Sequence, residues 1–386
     1  MPVDIGVFGA RAIPSTYSGY ETFLTTVLPE LAARGHRVTM YCRAGEADNT
    51  EPYRGVQRKL LPAVPGKQFN TLSHGLVSAV AARGAGHDVV LVVNVANSLF
   101  CALNRYTGQP VVLNTDGQEW LRGKWGRLAR NYFLMSAKVA RRTATGLVAD
   151  CAAMAEVYRS DFGAESTVIP YCFPKLDDFG RTGVLDRFGV RPGHYFVIAG
   201  RLNPENNIDR VAEAYSRSSL EDPLVVLGAA NYRSPVVQRL RRISAIDPRV
   251  RVLGHVDDRS EFLDLISSAR AYLHAHSVGG MNPSLVEAMR SGAYVAALDT
   301  PFNRETLGDA GTFWDFDDPK ELGRVLGSVA GNSDASSVAE RERARERATV
   351  SFGVQEVVDA YQRLIIAASR CSFRESVVLD TKWAVR

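Results

Sequence analysis

At 386 residues, with 46% hydrophobic and 23% charged side chains, the chain holds enough material for two or three globular domains, each with its own core. The formal net charge of +4 is too mild to point to nucleic acid, and no apolar run approaches the ~20 residues needed to cross a bilayer. Cys42, Cys101, Cys151, Cys172 and Cys371 lack CxxC spacing, and the N-terminus starts directly in a strand with no signal-peptide pattern, so reduced thiols and a cytoplasmic location are predicted.

Val3–Phe8 reads as a buried strand. A long loop carrying Tyr17, Gly19, Tyr20 and Glu21 follows and runs into a helix from about Gly19 to Arg34, with Phe23, Val27, Leu28 and Leu31 on one face. Arg37–Cys42 is the next strand, giving a βαβ opening of the doubly wound kind, in which ligands sit beyond the carboxyl ends of strands. The early glycines fall at 6, 9 and 19, so the G-x-G-x-x-G fingerprint is absent and no nicotinamide cofactor is implied.

Asp88–Val93 and Pro110–Asn114 continue the sheet, and Thr115-Asp-Gly-Gln-Glu-Trp-Leu-Arg-Gly-Lys-Trp125 then places Asp116, Glu119 and Trp120 at a strand end. On the residues alone, Asp116-Gly117 is equally a plain turn. From Leu121 to Arg142 there are seven Arg or Lys residues and no acid, with Trp125, Tyr132, Phe133 and Leu134 interleaved. Such a stretch (121–142) suits either an anionic membrane surface or a core helix with a basic outer face. No nucleic-acid module accompanies it. Gly146–Asp150 and Ser166–Pro170 close the first half, and Pro170-Tyr-Cys-Phe-Pro174 reads as a stiff linker.

The second half restarts the pattern with the strand Tyr195–Ala199, then Gly200-Arg-Leu-Asn-Pro-Glu-Asn-Asn207 and a helix through Ala214. Leu224–Gly228 and Val250–Leu253 are further strands, the latter followed by Gly254-His255-Val256 and an Asp258-capped helix. The stretch from Tyr272 to Gly292 opens as a short apolar strand, breaks at Gly279-Gly280, and restarts at Asn282-Pro283-Ser284, an N-cap with proline at the first helical position. The free N–H groups and positive dipole end of that helix suit an anion, and Glu287 lies about one turn in. Asp315-Phe-Asp-Asp318 contains D-x-D, but Asp318-Pro319 starts a helix, so capping explains it and no metal is predicted. Ser336–Thr349 alternates Glu and Arg as a solvated helix, and Gly353–Ser369 is amphipathic.

Three clusters carry a resemblance that covers about residues 3–365: the loop Pro14-Ser-Thr-Tyr-Ser-Gly-Tyr-Glu-Thr22, the Thr115–Trp125 segment, and Val278-Gly-Gly-Met-Asn-Pro-Ser-Leu285. Together they resemble family-4 retaining glycosyltransferases, and in particular the bacterial rhamnosyltransferase branch that builds cell-surface polysaccharides. The resemblance implies an α/β GT-B fold, two Rossmann-like doubly wound domains facing across a cleft. Residues 1–172 would form the acceptor domain and 173–352 the nucleotide-sugar domain, with the final helix, 353–370, packing back on the first. Relatives usually carry a glutamate at each end of the sugar-nucleotide motif. Glu287 stands at the second position, but Gly279 stands at the first. They also clamp the donor diphosphate with an arginine and a lysine. Arg201 matches, but Asn206 or Asn207 stands where the lysine would be.

The implied donor is a nucleotide sugar, most simply dTDP-β-L-rhamnose, and the implied acceptor is a saccharide on a polyprenyl diphosphate at the inner face of the cell membrane. Gly19, Arg201, Asn206, His255, Val256, Gly279, Gly280, Asn282, Ser284 and Glu287 would bind donor, Glu287 by holding the ribose. Tyr17, Tyr20, Glu21 and Trp120 would bind acceptor. Asp116, Glu119 and Arg201 would act at the reacting centre, the two acids positioning sugar or acceptor for front-face attack. The charged residues replaced at 206 and 279 also leave open a same-fold transferase using a UDP- or GDP-sugar, a non-catalytic partner protein, or a sugar-nucleotide epimerase.

Overall fold

Two unbroken apolar runs mark two sheets. Val89-Val-Leu-Val-Val93 and Leu224-Val-Val-Leu227 are buried along their whole length, as strands covered by helices on both faces must be. The computed structural model of the chain describes residues 1–15, 19–47, 50–66, 69–173, 183–229, 234–318, 320–331, 334–372 and 374–383.

The N-terminal half runs β1 (Asp4–Phe8), α1 (Gly19–Ala33), β2 (Arg37–Arg43), β3 (Gln57–Leu61), α2 (Phe69–Ala85), β4 (Val89–Val93), α3 (Ser98–Tyr106), β5 (Val111–Asn114), α4 (Arg127–Thr143), β6 (Gly146–Ala149), α5 (Ala152–Phe162) and β7 (Thr167–Val168). Its strands pair in parallel in the order β3-β2-β1-β4-β5-β6-β7. The C-terminal half runs α6 (Val184–Arg187), β8 (Phe196–Ala199), α7 (Ile208–Ser216), β9 (Leu224–Leu227), α8 (Pro235–Ile246), β10 (Val250–Gly254), α9 (Arg259–Ser267), β11 (Ala271–His274), α10 (Pro283–Ser291), β12 (Val295–Leu298), α11 (Pro301–Leu307), β13 (Thr312–Trp314), α12 (Glu321–Gly331), α13 (Asp334–Ser351) and α14 (Val354–Ser369). The second sheet is also parallel, ordered β10-β9-β8-β11-β12-β13. The two-Rossmann architecture implied by the sequence is the one observed. Edge strands β3 and β13 were not anticipated, because Gln-Arg-Lys-Leu-Leu has no buried-strand pattern and Thr-Phe-Trp is too short to show one.

The two halves share a core. In the second sheet Val197, Val225 and Val295 face a cluster continuous with the first half, whereas Ile198, Val226 and Ala296 face a separate one. Two polar ties reinforce this junction. Glu305 on α11 accepts the N–H groups of Ala152 and Ala153 at 2.6 and 2.7 Å, capping α5 from the opposite half. α14 crosses back to α1, where Arg34 donates to Asp359 and Gln362 at 2.5 and 2.7 Å. The tail beyond Cys371, which has no readable pattern, lies along the β6–β7 edge: Val377 and Leu379 donate backbone N–H groups to the Thr145 carbonyl and Thr167 Oγ1. Thr381 Oγ1 donates to the Val168 carbonyl of edge strand β7 at 2.7 Å, covering one group of that edge. Of the linker segment, residues 170–173 are buried, and Pro174 lies outside the described residues.

Candidate active site

In open parallel sheets the usual ligand site is the crevice where strand order reverses. That point lies between β1 and β4 in the first sheet and between β8 and β11 in the second. Loops leaving the carboxyl ends of these strands, and of β5 and β6 beside them, line one cleft of about 1300 Å³, with Gly9, Asn94, Asp116 and Asp150 on one wall and Arg201, His276, Gly279 and Glu287 on the other.

The C-terminal wall is mostly backbone and helix terminus. Asn282 caps α10, its Oδ1 accepting the N–H of Ser284 at 3.0 Å, and Pro283 occupies the first turn. The α10 N-terminus therefore opens into the cleft. Gly280 is required by crowding, since a Cβ there would lie 2.1 Å from the Asp150 carboxylate, while the neighbouring Met281 N–H donates to Asp150 Oδ2 at 3.0 Å. Arg201 stands exposed just beyond β8. Asn206 lines the cleft but donates its amide to the Arg201 carbonyl at 2.7 Å, so it holds the loop rather than standing free as a phosphate donor. Asn207 has φ of 52° and ties this loop to the next through Ala275 O and Ser277 Oγ, both at 2.9 Å. Glu287 is paired with Arg259 at 2.5 Å; burial pushes its carboxyl upward against the pull of that guanidinium. His255 and Val256 follow β10 at the rim.

The N-terminal wall is a cluster of buried charge. Asp116 adopts φ of 57°, a left-handed conformation costly for a side-chain-bearing residue. Asn114 Oδ1 accepts its N–H at 3.0 Å, Asn114 Nδ2 is bonded to Tyr361 of α14 at 2.7 Å, and the Tyr171 hydroxyl donates to Asp116 Oδ1 at 3.2 Å. The crossing helix thus supports the strained turn. Burial, then the Glu119 charge, raise the Asp116 carboxyl. For Glu119 burial is outweighed by Arg122 at 2.5 Å and Lys124 at 3.4 Å, and Trp125 Nε1 donates to it at 2.6 Å, so it is held below its ordinary value. Asp150, at the end of β6, is pushed by burial and then by Asp116 to about 7. His274 and His276 leave β11 with rings stacked 6.2 Å apart. Burial lowers His274 to about 3 and His276 well below its ordinary value, so both are neutral at neutral pH.

Most residues singled out from sequence converge here. Gly19 and Tyr20 line the cleft, and a Cβ on Gly19 would lie 2.6 Å from Pro283 Cγ across it. Tyr17 lies outside the described residues. Glu21 and Trp120 do not line the cleft. Glu21 is fully buried and accepts from Arg11 N and Ser15 Oγ, bracing the first loop. Trp120 packs edge-on against Tyr158 and Phe162. The basic stretch 121–142 is not one surface: α4 begins only at Arg127, whereas Arg122 and Lys124 precede it and turn into the cleft to pair with Glu119. Asp150, His274, His276 and Arg259 were missed; an acid ending the apolar strand Gly146–Ala149 was the available signal for the first. At Asp315–Asp318, Asp318 Oδ1 accepts the Lys320 N–H at 2.8 Å, as a cap does. Among the described residues, no group of three or more His, Cys, Asp or Glu side chains is placed to hold a metal.

The glycosyl transferase 4-like domain family matches residues 18–172, and the glycosyl transferases group 1 family matches residues 193–332, together well over half of the chain. No curated protein matches the chain significantly. Among solved structures, the sucrose-phosphate synthase of Thermosynechococcus elongatus is 17% identical with a TM-score of 0.78, over 95% of this chain and 100% of that one. HepE of Anabaena in complex with UDP-glucose is 14% identical with a TM-score of 0.74, covering 95% and 100%. An α,α-trehalose-phosphate synthase (UDP-forming) of Burkholderia vietnamiensis is 11% identical with a TM-score of 0.70, covering 96% and 100%. At these identities the structures speak to the fold, and the two family matches, one on each half, speak to the chemistry: the chain belongs to the family-4 glycosyltransferases of GT-B fold.

Proposed function

We propose that the chain is a retaining transferase that moves L-rhamnose from dTDP-β-L-rhamnose to a saccharide carried on polyprenyl diphosphate, in cell-surface polysaccharide synthesis at the inner face of the membrane. The observation that carries the transferase reading is the placement of Arg201 and the α10 N-terminus on either side of one switch point, facing Asp116 across the cleft. Cleavage of a sugar nucleotide leaves negative charge on the diphosphate, which a guanidinium and aligned N–H groups stabilise, and positive charge at the anomeric carbon, beside which the Asp116 carboxyl stands. Closing the two halves over a bound donor would disfavour water as acceptor. Rhamnose and the lipid acceptor rest on the sequence resemblance of the three loop clusters.

The lipid part of the reading has its own support. α2, α3 and α4 pack side by side and carry no acidic residue. Leu76, Val80, Leu103, Tyr106, Leu128 and Met135 are exposed on them, and Arg127, Arg130, Lys138, Arg141 and Arg142 are exposed on α4. Apolar side chains among cations suit an anionic interface, each cation contributing about 1 kcal/mol.

Incubation with dTDP-rhamnose, UDP-glucose and GDP-mannose, with and without a lipid-linked acceptor, is the test. Release of dTDP that rises with acceptor is the expected result. Preference for UDP or GDP would transfer the reading to another donor, and stable binding without turnover would favour a non-catalytic partner protein. Changing Arg127, Arg130, Arg141 and Arg142 to Gln should release the protein from anionic vesicles without changing turnover of a soluble acceptor analogue. Retention on the vesicles would remove the membrane from the proposal.

A further inference from the structure

A nucleoside diphosphate brings several anionic oxygens into the cleft, and among the described residues the C-terminal wall offers Arg201 and Arg259, the latter already paired with Glu287, with Asn206 in place of a further cation and its amide engaged. The opposite wall carries the complement. Arg122 is buried, and its Nη2 lies 3.6 Å from where a Cβ on Gly279 would be, so the guanidinium stands in contact with any side chain that grew from position 279. A Cβ on Gly117 would lie 3.0 Å from Gly279 Cα, which shows how closely the two loops approach. Lys124 stands beside Arg122, both line the cleft, and Lys124 is near enough to Arg201 for the two charges to repel.

We propose that Arg122, with Lys124 behind it, completes the diphosphate clamp across the cleft, replacing in space the cation absent at position 206. Glycine at 279 is then a fitted feature: a glutamate there would meet the Arg122 guanidinium and neutralise it. Facing these cations are Glu119, Asp116 and Glu205, and burial raises the Asp116 carboxyl toward its neutral form. Glu119 is the close partner of both Arg122 and Lys124 and Glu205 faces them as well, so the three cations Arg122, Lys124 and Arg201 against these two acids leave one positive charge for a ligand. Because Arg201 and Arg122 belong to opposite halves, a diphosphate held by both also ties the two halves together.

This inference rests on the nucleotide-sugar reading above, and the test separates the two. Affinities for dTDP and dTMP (or the matching uridine or guanosine pair) are measured by calorimetry on wild type, Arg122→Gln, Lys124→Met, and Arg122→Gln combined with Asn206→Lys. Loss of a charge-assisted contact predicts roughly a 10- to 100-fold weaker diphosphate affinity in Arg122→Gln and a smaller loss in Lys124→Met, with monophosphate affinity within about twofold. Adding Asn206→Lys should recover part of the loss. Should Arg122→Gln fail to fold, a diphosphate-selective loss in Lys124→Met still supports the clamp. Unchanged diphosphate affinity in both single variants overturns it. Equal loss of mono- and diphosphate shows a structural role and overturns it as well. A wild-type protein that binds no nucleoside diphosphate defeats the nucleotide-sugar reading itself.

Discussion

The two walls of the cleft are built by different means. The C-terminal wall centres on a strand, a glycine loop and a capped helix within about twenty consecutive residues, which present backbone N–H groups, with the exposed Arg201 and Arg259 on neighbouring loops. The N-terminal wall draws Asp116, Glu119, Arg122, Lys124 and Asp150 from the ends of two strands, with Glu119, Arg122 and Asp150 buried and Asp116 and Lys124 half-buried at the cleft. A preorganised N-terminus serves a ligand whose charge is constant in kind, such as a phosphate. Buried, mutually coupled carboxyls serve a place where charge changes, because their ionisation responds to small shifts in surroundings. We propose on this contrast that the C-terminal wall holds the leaving group, with Arg122 and Lys124 reaching across to it, and that the carboxyls of the N-terminal wall control the reacting sugar.

The strongest way to break that assignment is at Arg201. Replacing it with Ala should lower transfer roughly 10²–10³-fold, the scale for losing one preorganised charge-stabilising donor. Arg201→Lys should recover only part, since the planar fork is lost. Near-normal turnover in the alanine variant would take the diphosphate off the C-terminal wall.

A second experiment sharpens the comparison by pairing one acid from each wall. Glu287, held by Arg259 away from Asp116, would contact a part of the donor that changes little during reaction, so Glu287→Gln should raise the donor KM more than it lowers kcat. Asp116→Asn should chiefly lower kcat, by about 10²-fold, the scale of misplacing a reacting group. Steady-state kinetics with varied donor read both. The opposite pattern, nucleotide affinity lost with Asp116→Asn and kept with Glu287→Gln, would exchange the roles of the walls.

The same contrast explains what could be read from sequence. Asn282-Pro283, Gly279-Gly280 and Arg201 are local signals, each a strand end or cap whose physics is complete within a few residues, and they sit where sequence placed them. Arg122 and Lys124 were legible only as members of a basic run, because whether a cation faces solvent or a cleft depends on where the helix begins. α4 begins at Arg127, since the residues before it form a 3-10 turn and a loop braced by Glu119. Glu21 and Trp120 lie within the loop motifs that carry the resemblance, which implies acceptor contacts for them, yet their side chains point to the loop and the core. Asp150 reads from sequence as a strand terminus only, because its significance comes from Met281, 131 residues away in the chain.

Asp150 supplies the last of the expected effects, read in stability rather than in rate, and the one that tests whether the N-terminal wall is as dry as its packing implies. An aspartate in an unfolded chain titrates near 3.9, whereas burial, with Asp116 adding repulsion, moves Asp150 to about 7 in the folded protein. Between those values the folded state binds the extra proton. Stability attributable to this group is therefore greatest at low pH and falls as pH rises from about 4 to about 7, by at most about 1.4 kcal/mol per unit, and levels off above that. Asp150→Asn keeps an oxygen to accept the Met281 N–H but cannot ionise, so it should abolish this slope. Urea midpoints of both proteins from pH 5 to pH 8 give the difference directly, and titrations elsewhere in the chain largely cancel from it. The asparagine variant should gain on wild type with each pH step and hold a constant advantage beyond pH 7. A difference that stays flat across the range would mean that Asp150 is hydrated and ionised throughout. The contrast between a solvated binding wall and a dry reacting wall would then fail at its most buried carboxyl.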